Sequence, residues 1–352
     1  MPNEKTSPER RILINGAAVS TELDADVLEV AVCQYVEGGD RFEITVNALN
    51  STDQQLKWID SDELQPGNQI AIELGFTGST KTLLDGEITA LRAAYSNDQG
   101  AQVQIQGFDR LHRLRRGRRT KAYVEVKDSQ VAEQIASTLG LDSEASDSAV
   151  VHPYLLQNNL SDIDFLMQRA KRIRFEVAVS GRKLVFRPAA NHLAEAVALE
   201  YMRDLKWFNA RLSTARQVSD VAVRGWNPAS KEAILGRARV GAESTRMKGS
   251  SLGPQIAEEA FGAFSEVTVD IPVGSQPEAD QIAGAFFNDM AIELISGEGE
   301  AVGNPDLRAG TTVALLGLGK RFSGLYYVVK AEHRLSPELG YITRFDAQRN
   351  SS

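Results

Sequence analysis

Cysteine is almost missing from this sequence: among 352 residues only Cys33 carries a thiol. A disulfide within the chain is therefore impossible, and so is a metal site built on cysteine. The four histidines, His112, His152, His192 and His333, form no HExxH or close pair, which excludes the familiar catalytic zinc patterns. Long apolar runs are also lacking. Stretches such as residues 313–318 are the size of a strand and far short of the eighteen or so residues a membrane helix needs. The first eleven residues are polar, without the apolar core of a signal peptide, so export by the general secretory route is not expected. Glycine (28) and proline (11) are too few for a collagenous or disordered chain. No GxSxG elbow exists to serve a triad on His333. Gly317, Gly319 and Lys320 fit neither a phosphate loop nor a full GxGxxG, and a strand follows them, so they read as a turn.

Charge is present but unevenly spread. The chain has 39 basic and 47 acidic residues, a net charge of −8 that argues against a nucleic-acid binder. Yet residues 110–121 hold seven Lys/Arg and no acid, so this window carries +7 against −15 for the rest. Arg113, Arg115, Arg116, Arg118 and Arg119 are the candidate interface residues: clustered guanidinium groups suit carboxylates on an acidic protein, such as another copy of this chain. A solvated linker is the competing reading. With Tyr123 as the one nearby aromatic, no base-stacking platform is available.

Hydrophobic periodicity divides the chain. Residues 11–16, 27–36, 41–49, 67–76, 83–95 and 101–108 alternate as strands, with Phe42, Ile44 and Val46 on one face and Glu43, Thr45 and Asn47 on the other. They predict a small antiparallel barrel or sandwich over 11–110, after a polar tail at 1–10. Residues 111–195 read as an α+β insert. A helix over 129–139 is capped by Asp128 and ended by Gly140, and a second starts at Ser161 with Asp164 at its third position. A hairpin follows, turning at Ser180 and Gly181. Residues 196–348 return to strands, including 218–226 and 233–240, as a second barrel. A helix near 276–292 is opened by Ser275, Pro277 and Glu278, with Ile282, Phe286 and Met290 along one face. Residues 241–254 read as a long mobile loop, and 349–352 as a tail.

The carboxylate pairs Asp24/Asp26 and Asp162/Asp164 have the residue types for acid/base chemistry, but each sits in a turn or a first helical turn, where carboxylates oppose the helix dipole. No residue is expected to be catalytic, cofactor-binding or metal-binding, and no cofactor is expected. The alternative, a cell-wall or glycan hydrolase working through paired carboxylates, needs an inserted helical module that no segment is long enough to supply.

A set of ordered motifs carries a resemblance. The run from Gln157 through Asn158, Asn159, Leu160, Ser161, Asp162, Ile163, Asp164, Phe165, Leu166 and Met167 to Ala170 is followed by Phe175-Glu176-Val177 and by Leu184 to Pro188 with Phe186. Pro305 to Arg308, Gly317-Leu318-Gly319, Phe322-Ser323-Gly324, Tyr326-Tyr327-Val328, His333 and Gly340-Tyr341 complete the set. Together they resemble phage late control protein D, the baseplate hub of contractile phage tails and contractile injection systems, which is similar to the N-terminal part of VgrG spikes. The resemblance implies a mainly β fold with two tube-protein-like antiparallel barrels flanking the α+β insert. It also implies a homotrimer joining a hexameric inner tube to a trimeric spike among other baseplate proteins, without nucleic-acid binding or membrane insertion. Assembly in the bacterial cytoplasm, and a place in the baseplate of a phage tail or injection particle, follow from it. Phe165, Leu166, Phe175, Phe186, Tyr326 and Tyr327 carry over as packing residues.

Overall fold

A computed structural model describes residues 7–50, 54–98, 100–227 and 229–352. The expected mainly β fold is present, built on large antiparallel sheets. In the N-terminal half the strands lie in the order Val27–Tyr35, Arg41–Asn47, Gly100–Asp109, Lys81–Ser96, Gln69–Phe76, Pro8–Ile14. Their alternating residues meet in one core, where Val30, Ile44, Ile72 and Val103 are almost fully buried. The first strand begins at Pro8, inside the expected tail; residues 1–6 of that tail lie outside the described residues.

The C-terminal half contributes Leu205–Leu212, Ile295–Val302, Gly340–Arg349 and Gly324–Ser336 in that order, with Thr312–Leu316 and Val197–Glu200 at its side. The strands of the two halves do not stay in separate sheets. Gly324–Ser336 is long enough to change partners along one edge: Gly324 to Tyr327 pair with Thr312–Leu316, and Lys330 to Leu335 pair with Val27–Tyr35. One sheet therefore runs through both halves, and among the described residues no ladder closes it into a ring.

The insert has its own core. Helices Asp128–Thr138 and Asp162–Arg172 pack with the pair Arg119–Lys127/Val151–Leu160 and the sheet of Phe175–Ser180, Lys183–Pro188 and Asp142–Ala145, burying Val131, Ile135, Leu166 and Val177. Ser161 caps the second helix as expected, its Oγ accepting from Asp164 N at 3.2 Å. Lys127, not Asp128, occupies the cap position of the first helix.

Three expectations for the C-terminal part need correction. Asp220–Asn227 and Glu232–Arg239 do not join the large sheet; they pair with each other and with Ser265–Thr268 under helix Gln276–Ile292. The helix approaches so closely that a Cβ on Gly236 would fall 2.2 Å from the Ala279 carbonyl carbon, and its buried face is Ala279, Ile282, Ala283 and Phe287, while Phe286 and Met290 are only partly covered. Residues 241–254 are not a free loop. Met247 is buried among Ala190, Ile292, Leu325 and Tyr327, Ser244 N donates to Asn288 Oδ1 at 2.7 Å, and helix Gly253–Phe261 starts inside the segment. The C-terminus is not a tail either: Asn350 and Ser351 are buried, and Asn350 Nδ2 donates to Thr245 O at 2.6 Å.

Candidate interaction surfaces

The basic window is structured rather than a linker. Leu111 and Leu114, on the short 3-10 helix Arg110–Arg115, are buried against the insert, and Arg119 already belongs to a strand. Two of the five candidate arginines are used internally. Arg113 Nε donates to Glu87 Oε2 at 2.9 Å, beside His112 Nε2 at 2.8 Å from the same oxygen, and Arg119 lies 3.2 Å from Asp162. Burial alone would push the Glu87 carboxyl up, but the bonds from Arg113 and His112 outweigh it and hold it below its ordinary range. Arg115 and Arg116 are exposed without an ion-pair partner among the described residues, and Arg118 reaches only Asn159 O at 3.4 Å. The free part of the patch is thus Arg115, Arg116 and Arg118.

The motif residues lie in the cores of the insert and the large sheet. Phe165 stacks on Tyr123 with ring centres 5.8 Å apart, Leu166 is buried beside it, and Phe175 lies against Phe186 at 5.1 Å. Tyr326 is buried edge-on to Phe208, its hydroxyl donating to Phe322 O at 2.7 Å. Tyr327 does more than pack. From the large sheet its hydroxyl donates to Glu176 of the insert, whose carboxyl burial raises to about 7 despite Arg187 nearby. The paired carboxylates are occupied structurally: Asp24 by Arg10, Asp26 by Lys57 and Trp58, Asp162 by Arg119 and Gln157, Asp164 by Ser161. His333 is fully buried beside Tyr341 and Thr343, and burial lowers it to about 3, so it is a neutral core residue.

Two surfaces were not read from the sequence. Strand register places Trp207, Glu300, Arg344, Glu332, Cys33, Arg41 and Phe108 in one row on the outer face of the continuous sheet, crossing from one half to the other. Neighbouring rows add Asp346 with Lys330 and Glu43 with Gln106, so this face is polar and mixed in charge. A hollow of 290 Å³ sits in it around Cys33, Arg41, Glu43 and Glu332.

The other surface is a cleft of 780 Å³ between the insert and the three-stranded sheet, walled by Tyr154, Trp226, Val269 and Ile271. Behind it lies a buried ionic network. Arg169 donates through Nε to Asp128 Oδ1 at 2.5 Å and through Nη2 to Oδ2 at 3.1 Å, and His152 Nε2 is 3.2 Å from the same Oδ2. Burial would raise the Asp128 carboxyl, but the bonds from His152 and Arg169 hold it below its ordinary range. The only sequence signal for the cleft was Trp226, an aromatic ending an alternating strand.

Solved structures share this fold across the whole chain. The 43 kDa tail protein of prophage MuSo2 from Shewanella oneidensis matches with a TM-score of 0.73 at 12% identity, covering 98% of this chain and 99% of that one. A tail protein from Neisseria meningitidis MC58 gives 0.67 at 10% identity, with 98% and 97% covered. The E. coli c3393 protein gives 0.58 at 14% identity over 97% of this chain and 77% of its own; it is a component of the type VI secretion system and is structurally similar to the T4 bacteriophage tail proteins gp27 and gp5. The chain therefore has the fold of phage-tail proteins. No curated protein matches the sequence. The family model of the Alg8 N-terminal domain matches residues 4–337, and the chain belongs to that family.

Proposed function

We propose that this chain is a baseplate hub of the late control protein D type, a trimeric adaptor between a hexameric inner tube and a trimeric spike in a phage tail or contractile injection particle. The observation that supports it most is the single sheet passing through both halves, with its polar outer face shared between them. A chain offering two antiparallel halves side by side meets a six-fold tube with three copies, while three-fold symmetry is kept for the spike. Closed cyclic symmetry also gives each contact a partner and stops filament growth. In this reading 11–110 and 196–348 alternate around a channel, 111–195 lies at the periphery, and the chain turns over no substrate. Its partners are proteins of the assembly, not nucleic acid or lipid. Electron microscopy of the baseplate assembled with its tube and spike tests this directly: three chains in the tube-continuous layer are expected. Six chains, or one half per chain in that layer, would falsify the hub assignment.

A further inference from the structure

Two surfaces of this chain are chemically complementary. The first begins at the cleft, where Arg224 has no ion-pair partner among the described residues, and Trp226 and Tyr154 are 57% and 56% exposed. It continues along the outer face of the insert's two-stranded sheet, where Tyr154 stands opposite Val124 and Leu156 opposite Ala122, and it ends near Arg116 and Arg118, which have no ion-pair partner among the described residues, Arg118 donating to Asn159 O at 3.4 Å. The stripe is basic, apolar, basic. From Tyr154 to Leu160 it spans roughly 20 Å at the rise of a strand. Contiguous exposed apolar surface of this kind marks an interaction site.

The second surface is residues 258–266. Glu258 and Glu259 open it, Phe261 and Phe264 follow at 69% and 63% exposure, and Glu266 closes it, with no basic residue between. The pattern is acidic, apolar, acidic. Its length is about 20 Å, one helical turn followed by extended chain. None of the three glutamates has an ion-pair partner among the described residues. The segment is also held in shape: Gly262, at φ +86°, ends helix Gly253–Phe261 with its N–H on Glu258 O at 2.9 Å, and Phe264 O accepts from Ser219 N at 2.8 Å. Two phenylalanines presented to solvent on ordered backbone are prepared for a partner without further ordering cost.

We propose that residues 258–266 of one copy dock on the Trp226–Tyr154–Leu156 stripe of the next copy, so that Phe261 and Phe264 cover the apolar band while Glu258, Glu259 and Glu266 meet the arginines at its two ends. The inference rests on the homo-oligomeric reading above and names its interface. The occupant is a second copy because the chain itself carries a segment matching the stripe in charge order and apolar content. The contact joins different patches on the two copies, so it is heterologous and closes only as a ring.

The test uses full-length chains. Phe264→Cys and Tyr154→Cys variants are prepared separately, mixed and mildly oxidised; the native Cys33 is buried and serves as background. A disulfide between the two variants is expected in the mixture, and none when Tyr154→Cys is replaced by Leu339→Cys at an exposed turn elsewhere. Sedimentation of Phe261→Ser/Phe264→Ser should show association weakened about tenfold or more, as loss of central aromatic anchors does. Charge reversal at Glu258 and Glu259 should weaken it too, with recovery on reversing Arg116 and Arg118. An oligomer that forms without the cross-link and ignores these substitutions overturns this interface while leaving the hub reading intact. A wild-type chain that stays monomeric at all concentrations and within the assembled particle overturns both.

Discussion

Asp40 and Asp109 make a pH-sensitive contact at the end of the first sheet, and substituting Asp40 measures it. Asp40 N donates to Asp109 Oδ2 at 2.9 Å, Leu111 N donates to Asp109 Oδ1 at 2.9 Å, and Tyr35 N donates to Asp40 Oδ1 at 3.1 Å. Burial first, then repulsion from Asp109, raises the Asp40 carboxyl from 3.8 to about 8, with the Arg308 cation and the Gln34 amide only partly opposing; burial raises Asp109 to about 7. Both groups hold a proton more tightly folded than unfolded. The stability they contribute is therefore complete below about pH 4 and is lost as the pH rises through about 7 and 8. Asp109 accepts an N–H on each oxygen, so Asp40 is the member that gains from neutrality. An Asp40→Asn chain keeps an oxygen for Tyr35 N and removes the charge. The rise from 3.8 to about 8 corresponds to roughly 5 kcal/mol as an upper bound. Coupling to Asp109 and the residual exposure of Asp40 reduce the expected effect to on the order of 2 kcal/mol. Urea unfolding from about pH 5 to about pH 9 should show wild type losing stability on the alkaline side, and the variant losing less than half as much and exceeding wild type at the top of the range. A flat wild-type profile, or a variant with the same slope, refutes the reasoning.

Three further outcomes are expected. Arg169→Met leaves Asp128 buried without its two-pronged partner and should cost about 3–5 kcal/mol in denaturant unfolding; a cost under about 1 kcal/mol would mean that water reaches the carboxylate. Met247→Ser removes the apolar anchor in the middle of residues 241–254, so hydrogen exchange should show the amides from Ser244 to Leu252 losing protection together, with about 2–5 kcal/mol of stability lost; unchanged protection would mean that the polar ties and the buried Leu252 suffice. Phe165→Ala opens the insert core under Tyr123 at about 3–5 kcal/mol, and limited proteolysis should then cut within 111–195 before the large sheet; simultaneous cutting everywhere would show that the insert does not unfold on its own.

What was legible in the sequence depended on how far away each residue finds its partner. Ser161 and Ser275 as caps and the inward set Phe42/Ile44/Val46 were readable because partners within a few residues, or the period of a strand, decide them; the hairpin turn was placed one residue early, since Ser180 still pairs with Lys183 and Gly181-Arg182 make the turn. Asp128 was misread for the opposite reason. Its position beside a helix start suggested a cap, but a carboxylate this buried requires partners in the interior, and those are His152 and Arg169, on other elements. The arginine window shows the same boundary within one segment. Its charge was countable, whereas which guanidinium groups are already neutralised depends on Glu87 and Asp162, brought in by another strand and another helix. Sheet order is the extreme case. Alternation in residues 330–335 says that Ala331, His333 and Leu335 face inward and Lys330, Glu332 and Arg334 outward, and any strand of like pattern satisfies that. The choice of Val27–Tyr35 as neighbour sets His333 against Val32 in the core and Glu332 against Cys33 outside, and this register alone turns two similar halves into one sheet.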